Sequence, residues 1–76
     1  MAENPGKFPL DPTSKVGQVR VTLGDTTSAP FDPPRPGEQN YGMYSDLEIE
    51  GFLAVVEDSV DGALYRIYMQ MAGAAA

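Results

Sequence analysis

The chain contains no histidine and no cysteine, so the eleven carboxylates of Asp and Glu are its most abundant side chains that could take part in catalysis or metal binding. A Ser–His–Asp triad or a Cys–His nucleophile cannot form without those residues. A structural zinc site lacks its usual ligands for the same reason. The isolated Gly17 and Gly24 do not build a phosphate-binding loop. We therefore expect no enzymatic activity, no cofactor and no metal.

Two groups of acidic residues resemble functional arrangements only in part. Glu57, Ser59, Asp61 and Gly62 imitate the start of an EF-hand loop, but the twelfth position is Tyr68, where calcium binding needs a bidentate glutamate. Capping of a helix explains Asp61 better than calcium does.

Glu48 and Glu50 are two residues apart, so on a helix they point in different directions. They cannot act together as the two carboxylates of a glycosidase. A solvated helix face is the better interpretation.

Aromatic residues and methionines are the other candidates, and we interpret them as contacts with another protein. Tyrosine is common at interfaces because its ring is buried while its hydroxyl stays polar. The predicted interface residues are Phe31, Tyr41, Tyr44, Tyr65, Tyr68 and Met69.

Size and charge limit the classes of protein to which the chain can belong. With 76 residues it can form one small domain. The core of such a domain supplies only roughly 3–5 kcal/mol, so we expect stabilisation by assembly. The net charge of −6 argues against binding to nucleic acids or to anionic membranes. No apolar stretch is long enough to span a bilayer, and no signal peptide is recognisable at the start.

The prolines divide the chain into two halves, because all seven lie between Pro5 and Pro36. Proline disrupts helices, so the first half is predicted to be largely irregular. Residues 1–13 are predicted to form an extended arm. Residues 25–44 are predicted to form a long loop, with a polyproline-type path through its prolines. A loop of this length in so small a domain is often a segment that orders against a partner.

Residues 14–24 allow two local interpretations. As a helix, Val16, Val19 and Leu23 share a face, with Ser14 as the N-cap and Gly24 as the stop. As a strand, apolar residues alternate with Arg20 and Thr22. The helix is favoured because no later segment offers the strand a partner.

Two further helices are predicted in the second half. Residues 45–57 begin with a capping box formed by Ser45 and Glu48. Residues 58–76 begin at a cap supplied by Asp58 or Ser59 and are apolar on nearly all sides. A helix of that kind is usually buried on several sides. We therefore expect one of its faces to meet another chain.

The predicted fold class is all-α, with about three helices, a proline-rich N-terminal arm and a long loop. Residues 14–76 form a single helical domain in this interpretation. The sequence reaches Gly73 and three alanines without a stop signal. This pattern predicts that the native chain continues beyond Ala76.

Two segments resemble the head–tail adaptor (connector) proteins of long-tailed bacteriophages. The first is VGQVR followed by GDT, at Val16 to Arg20 and Gly24 to Thr26. The second runs from the SDLEIE cap into an alanine-rich last helix, at Ser45 to Phe52 and Ser59 to Ala76. The motifs are short and structural. The strand-like Val21 and Thr22 and the long loop 25–44 depart from the family pattern.

The resemblance implies a structural virion protein made in the host cytoplasm and located at the head–tail junction. It implies a homo-oligomeric ring that contacts the portal protein and the next neck or tail-completion protein. DNA would pass through the channel without specific binding. It also favours the helix over residues 14–24. The alternative is a small acidic interaction or regulatory subunit without catalytic activity.

Overall fold

The fold is a small α+β domain, so the all-α prediction is wrong. A computed structural model describes residues 3–75, with side chains described as far as Gly73. The predictions for Met1, Ala2 and Ala76 lie outside the described residues. In chain order the elements are β1 (Pro5–Lys7), α1 (Lys15–Leu23), β2 (Ser28–Ala29), β3 (Glu38–Tyr41), α2 (Asp46–Val55) and α3 (Val60–Ala75).

The three strands form one antiparallel sheet in the order β1-β3-β2, where the sequence predicted an arm and a loop. Gly6 pairs with Gln39, and Ala29 pairs with Asn40. Pro5 is tolerated because it is the first residue of an edge strand, where its missing N–H breaks no ladder hydrogen bond. Short strands with residues such as Glu38 have weak intrinsic preference for the extended state, so pairing across the chain creates them.

The helical interpretation of residues 14–24 is correct, and the strand alternative is wrong. The Ser14 hydroxyl accepts a hydrogen bond from the Gly17 N–H at 2.9 Å, which satisfies a free donor of the first turn. Gly24 ends α1 in the left-handed region, with φ of 88°. Its N–H donates to the carbonyl of Arg20, as expected for a helix C-terminus that ends in glycine.

The predicted capping box begins α2. The Ser45 hydroxyl accepts from the Glu48 N–H, and the Glu48 carboxylate accepts from the Ser45 N–H. The helix ends at Val55, two residues before the expected end, because Glu57 and Asp58 have left-handed φ values of 56° and 63°. The Ser59 hydroxyl then accepts from the Gly62 N–H, so Ser59 provides the cap of α3.

The core lies where the three helices meet. Its buried members come from all three helices, and they are Val19, Ile49, Leu53, Ala63, Leu64 and Ile67. The sheet lies beside this core and contacts α2 through β1. Within residues 3–75, no helix combines the length and the apolarity needed to cross a bilayer.

Candidate functional site

The most concentrated arrangement of charge is buried between α1, β3 and the start of α2. Arg20 is 1% exposed, and its Nη1 lies 2.7 Å from Oδ2 of Asp25. Its Nη2 lies 2.8 Å from Oδ1 of Asp46. The guanidinium carbon lies 3.8 Å from the centroid of the Tyr41 ring, in a cation–π contact. We call these four residues the Arg20 cluster.

Asp25 joins α1 to the segment that precedes α2. Because Gly24 turns the chain sharply, the Asp25 carboxylate faces back toward the guanidinium. The same carboxylate accepts hydrogen bonds from the backbone N–H groups of Met43 and Tyr44, at 3.1 and 3.0 Å. One buried side chain therefore holds the end of the long connection in place.

Asp46 and Tyr41 hold β1 in place in the same way. The second oxygen of Asp46 accepts from the Lys7 N–H at 3.0 Å. The Tyr41 hydroxyl donates to the Lys7 carbonyl at 2.6 Å. Both contacts use the backbone of β1, so they fix its position whatever side chain residue 7 carries.

Gly6 is the point where β1 crosses the cluster. A Cβ at this position would lie 2.7 Å from Nη2 of Arg20 and 2.7 Å from Oδ1 of Asp46. Those distances are shorter than van der Waals contact, so only glycine fits without displacing the ion pair. The close approach explains why β1 is found here in an otherwise irregular arm.

The geometry of the Arg20 cluster is suited to stabilising the fold. Every buried side-chain N and O atom within the described part of the chain has a hydrogen-bond partner. A buried ion group in which each buried polar atom has a partner restricts the chain to one arrangement. In residues 3–75, no group of three or more acidic side chains is close enough to hold a metal ion.

The environment of the cluster perturbs two tyrosines. Burial raises the pKa of Tyr41, and the adjacent Arg20 partly offsets this effect. Burial also raises the pKa of Tyr44, with a further contribution from the negative charge of Glu48. In both cases the fold favours the neutral phenol.

The structure separates the six predicted interface residues into two sets. Phe31 and Tyr41 are buried within the chain itself, at 6% and 2% exposure. Arg35 covers the Phe31 ring, with its guanidinium carbon 4.0 Å from the ring centroid. Tyr44 is half-buried and packs edge-on against Phe52, with ring centroids 5.7 Å apart. These contacts are internal, so Phe31 and Tyr41 have their partners in this chain.

Tyr65, Tyr68 and Met69 remain exposed on α3, at 64%, 50% and 55%. Met69 lines an open groove between α2 and α3. We call it the α2–α3 groove, and its lining residues are Tyr44, Glu48, Gly51, Phe52, Val55, Arg66, Met69 and Gln70. Tyr65 and Tyr68 are absent from that lining, although Tyr65 lies one helical turn before Met69 and therefore borders the groove.

The Arg20 cluster was not predicted from the sequence. One available signal was a charged residue inside the apolar pattern of α1, followed by an aspartate directly after the helix-ending Gly24. In comparisons with known proteins, no protein-family model, no curated protein and no solved structure matches the chain.

Proposed function

We propose that this chain is a head-to-tail adaptor of a bacteriophage, a structural subunit that assembles as a ring between the portal and the next neck or tail-completion protein. The observation that carries the proposal is the meeting of the two sequence motifs that resemble the adaptor family. Arg20 ends the VGQVR motif, Asp25 lies in GDT, and Asp46 opens the SDLEIE helix.

These three residues form one ion network, although the eighteen residues 27–44 separate the two motifs in sequence. The carboxylates and the guanidinium depend on each other, because loss of one leaves a buried charge without a partner. Joint occurrence of the two motifs therefore has a physical cause. Within this chain, the two motifs that resemble the adaptor family thus form one structural unit.

The exposed surface agrees with a subunit that assembles. Large apolar side chains remain on the outside of α2 and α3, among them Val55, Tyr65, Tyr68 and Met69. A small monomer seldom exposes so many in adjoining positions without a partner. The acidic charge of −6 also suits a channel through which DNA must pass without being held.

The three-stranded sheet departs from the mostly helical fold that the resemblance implies. β3 lies in the loop 25–44, which already departs from the family pattern in sequence, and β1 lies in the N-terminal arm. The sheet contacts the helices that carry the motifs, since the Lys7 N–H of β1 donates to Asp46 and the Tyr41 ring of β3 packs against Arg20.

Antibody-gold labelling of purified virus-like particles from the source, viewed by negative stain, tests the proposal. The expected result is label confined to the junction between head and tail. Antibody that has been pre-absorbed with the purified protein is the control, and it should leave the junction unlabelled. Absence of the protein from particles, while it is abundant in cells, would contradict the proposal and favour a regulatory or interaction subunit.

A further inference from the structure

Helix α3 exposes apolar side chains on two of its sides. One side forms a wall of the α2–α3 groove through Met69, with Arg66 and Gln70 beside it. An adjoining row lies at positions 61, 65, 68 and 72, whose i, i+4, i+7 and i+11 spacing places the residues on one face. We call this row, formed by Asp61, Tyr65, Tyr68 and Ala72, the tyrosine ridge.

We propose that the tyrosine ridge of one copy occupies the α2–α3 groove of the next copy. The proposal rests on the proposed function, since it identifies the partner of an assembling subunit. The groove is open to solvent, and its apolar lining residues include Phe52, Val55 and Met69. The ridge is convex and offers two exposed phenol rings, the side-chain type that is enriched at protein interfaces.

Gly51 gives the groove the space to accept a ring. A Cβ built at this position meets no atom within 4 Å, so the surface above it is open. Glycine costs about 1 kcal/mol relative to alanine inside a helix. The exposed position of Gly51 in the middle of α2 offers no compensating contact within residues 3–75. A side chain from outside the chain would supply that contact.

Charge favours this pairing as well. Arg66 is the only basic residue between Tyr44 and Ala76, where six residues are acidic. Among residues 3–75, Arg66 lies within ion-pair distance of no carboxylate. Glu48 lines the same groove but forms no ion pair with Arg66, and one oxygen of its carboxylate accepts from the Ser45 N–H in the capping box. The groove therefore holds a cation without a partner, and the ridge carries the exposed Asp61.

The two surfaces are different, so one copy can use both at the same time. Contacts between unlike surfaces are head-to-tail, and they generate closed rings when the rotation between neighbours closes. A groove that paired with another groove would give only a two-fold dimer. The two surfaces share no residue, so the arrangement meets one condition for a ring, namely contact between unlike surfaces.

Two variants of the whole chain distinguish ridge-to-groove pairing from groove-to-groove pairing. Gly51→Leu fills the groove and leaves the ridge intact. The double variant Tyr65→Ser/Tyr68→Ser removes the ridge and leaves the groove intact. Matched controls are Ala54→Leu and Leu47→Ser, which make similar changes at exposed positions of α2 that line no part of the groove. Far-UV circular dichroism checks that each variant keeps its helices.

Sedimentation velocity of the separate and mixed variants gives the result. We expect the native protein and both controls to form oligomers at high concentration, and each groove or ridge variant alone to be monomeric. An equal mixture of the two should form a 1:1 dimer, because one intact groove meets one intact ridge, and growth should stop there. If either variant fails to fold, the charge exchange Arg66→Asp with Asp61→Arg replaces it. Each single change should then weaken assembly, and the double change should restore it.

Three results would overturn the proposed pairing. They are a native chain that stays monomeric at its solubility limit, a mixture that forms no dimer, and a ridge variant that assembles like the native protein. The last result would indicate groove-to-groove pairing. Gold label at the head–tail junction with a failed mixture would overturn the pairing and leave the adaptor function standing. A 1:1 dimer in the mixture, with no gold label on particles, would overturn the adaptor function and leave the pairing standing.

Discussion

The part of the domain before α2 and the hairpin of α2 and α3 differ in their main contacts, although Val19 of α1 also belongs to the apolar core. Before α2, the chain is fixed by the Arg20 cluster and by hydrogen bonds such as those from Asn4 to Asn40 and Tyr41. In the hairpin, the contacts are apolar, centred on Ile49, Leu53 and Ile67. Polar contacts are directional and apolar ones are not, so the first region should tolerate less change than the second.

This comparison also separates the roles of the two regions. The Arg20 cluster directs its charges inward and binds the chain to itself. The hairpin leaves Tyr65, Tyr68 and Met69 outside, where a neighbour can bury them. Substitutions in the first region should therefore act on folding, and substitutions on the outside of the second should act on assembly.

The largest effect is expected for Arg20→Leu. The Asp25 side chain is 1% exposed, so removal of the guanidinium leaves a buried carboxylate without its cation. Breaking such a buried pair costs about 3–5 kcal/mol. That equals the roughly 3–5 kcal/mol that a core of this size provides. We expect the variant to lose most of its helical circular dichroism at room temperature, whereas Lys15→Leu, on the exposed side of α1, should keep it. A native-like urea midpoint for Arg20→Leu would refute this role.

A matched pair of glycine substitutions gives the next effect, with opposite signs in the two regions. Gly6→Ala places a Cβ 2.7 Å from Arg20 and Asp46, and such overpacking should destabilise the fold by about 1–3 kcal/mol. Gly51→Ala meets no atom within 4 Å and should stabilise α2 by about 0.5–1 kcal/mol. Urea denaturation measures both. If both substitutions changed the free energy of unfolding by the same amount and with the same sign, the proposed difference between the two regions would be contradicted.

A conservative exchange in the apolar core should have a smaller effect. Ile67 is fully buried among other aliphatic side chains, so Ile67→Leu keeps the volume and requires only repacking. We expect a loss below about 1.5 kcal/mol in the free energy of unfolding. The corresponding conservative exchange in the polar region, Arg20→Lys, should cost more because lysine cannot contact two carboxylates with a planar fork. Chemical denaturation of both variants measures the two changes in the free energy of unfolding. A larger loss for Ile67→Leu than for Arg20→Lys would contradict this prediction.

The smallest effect is a dependence of stability on alkaline pH. The folded state raises the pKa of Tyr41 and Tyr44 above their unfolded value of about 10. A raised pKa means that the neutral phenol is favoured in the fold. This contribution is complete below about pH 10 and is lost as the pH rises through the folded values. The urea midpoint should therefore fall in that range. Tyr41→Phe should reduce the fall, and an unchanged pH profile in that variant would assign the effect elsewhere.

The helices could be predicted from sequence because their signals are local. Ser14 and Gly24 bound α1 within ten residues, and Ser45 with Glu48 marks the start of α2. The early end of α2 could not be predicted, because the left-handed conformation of Glu57 is unusual for residues other than glycine, asparagine, aspartate and histidine.

The sheet and the Arg20 cluster could not be predicted, because both depend on distant pairing. Pro5–Lys7 and Glu38–Tyr41 become strands only when they meet, and neither has strong β preference. A single arginine on a short helix is most often solvent-exposed, so Arg20 gave no sign of burial by itself. Its partners Asp25 and Asp46 follow at separations of 5 and 26 residues, which only the folded chain brings together.

The separation of folding from assembly is tested most directly by sedimentation velocity of the Tyr65→Ser/Tyr68→Ser variant, with circular dichroism of the same sample. The account predicts native helical content together with loss of the oligomers that the native chain forms. A variant that loses its helices, or one that sediments as the native oligomer, would contradict the claim that the outer side of α3 serves assembly while the Arg20 cluster maintains the fold.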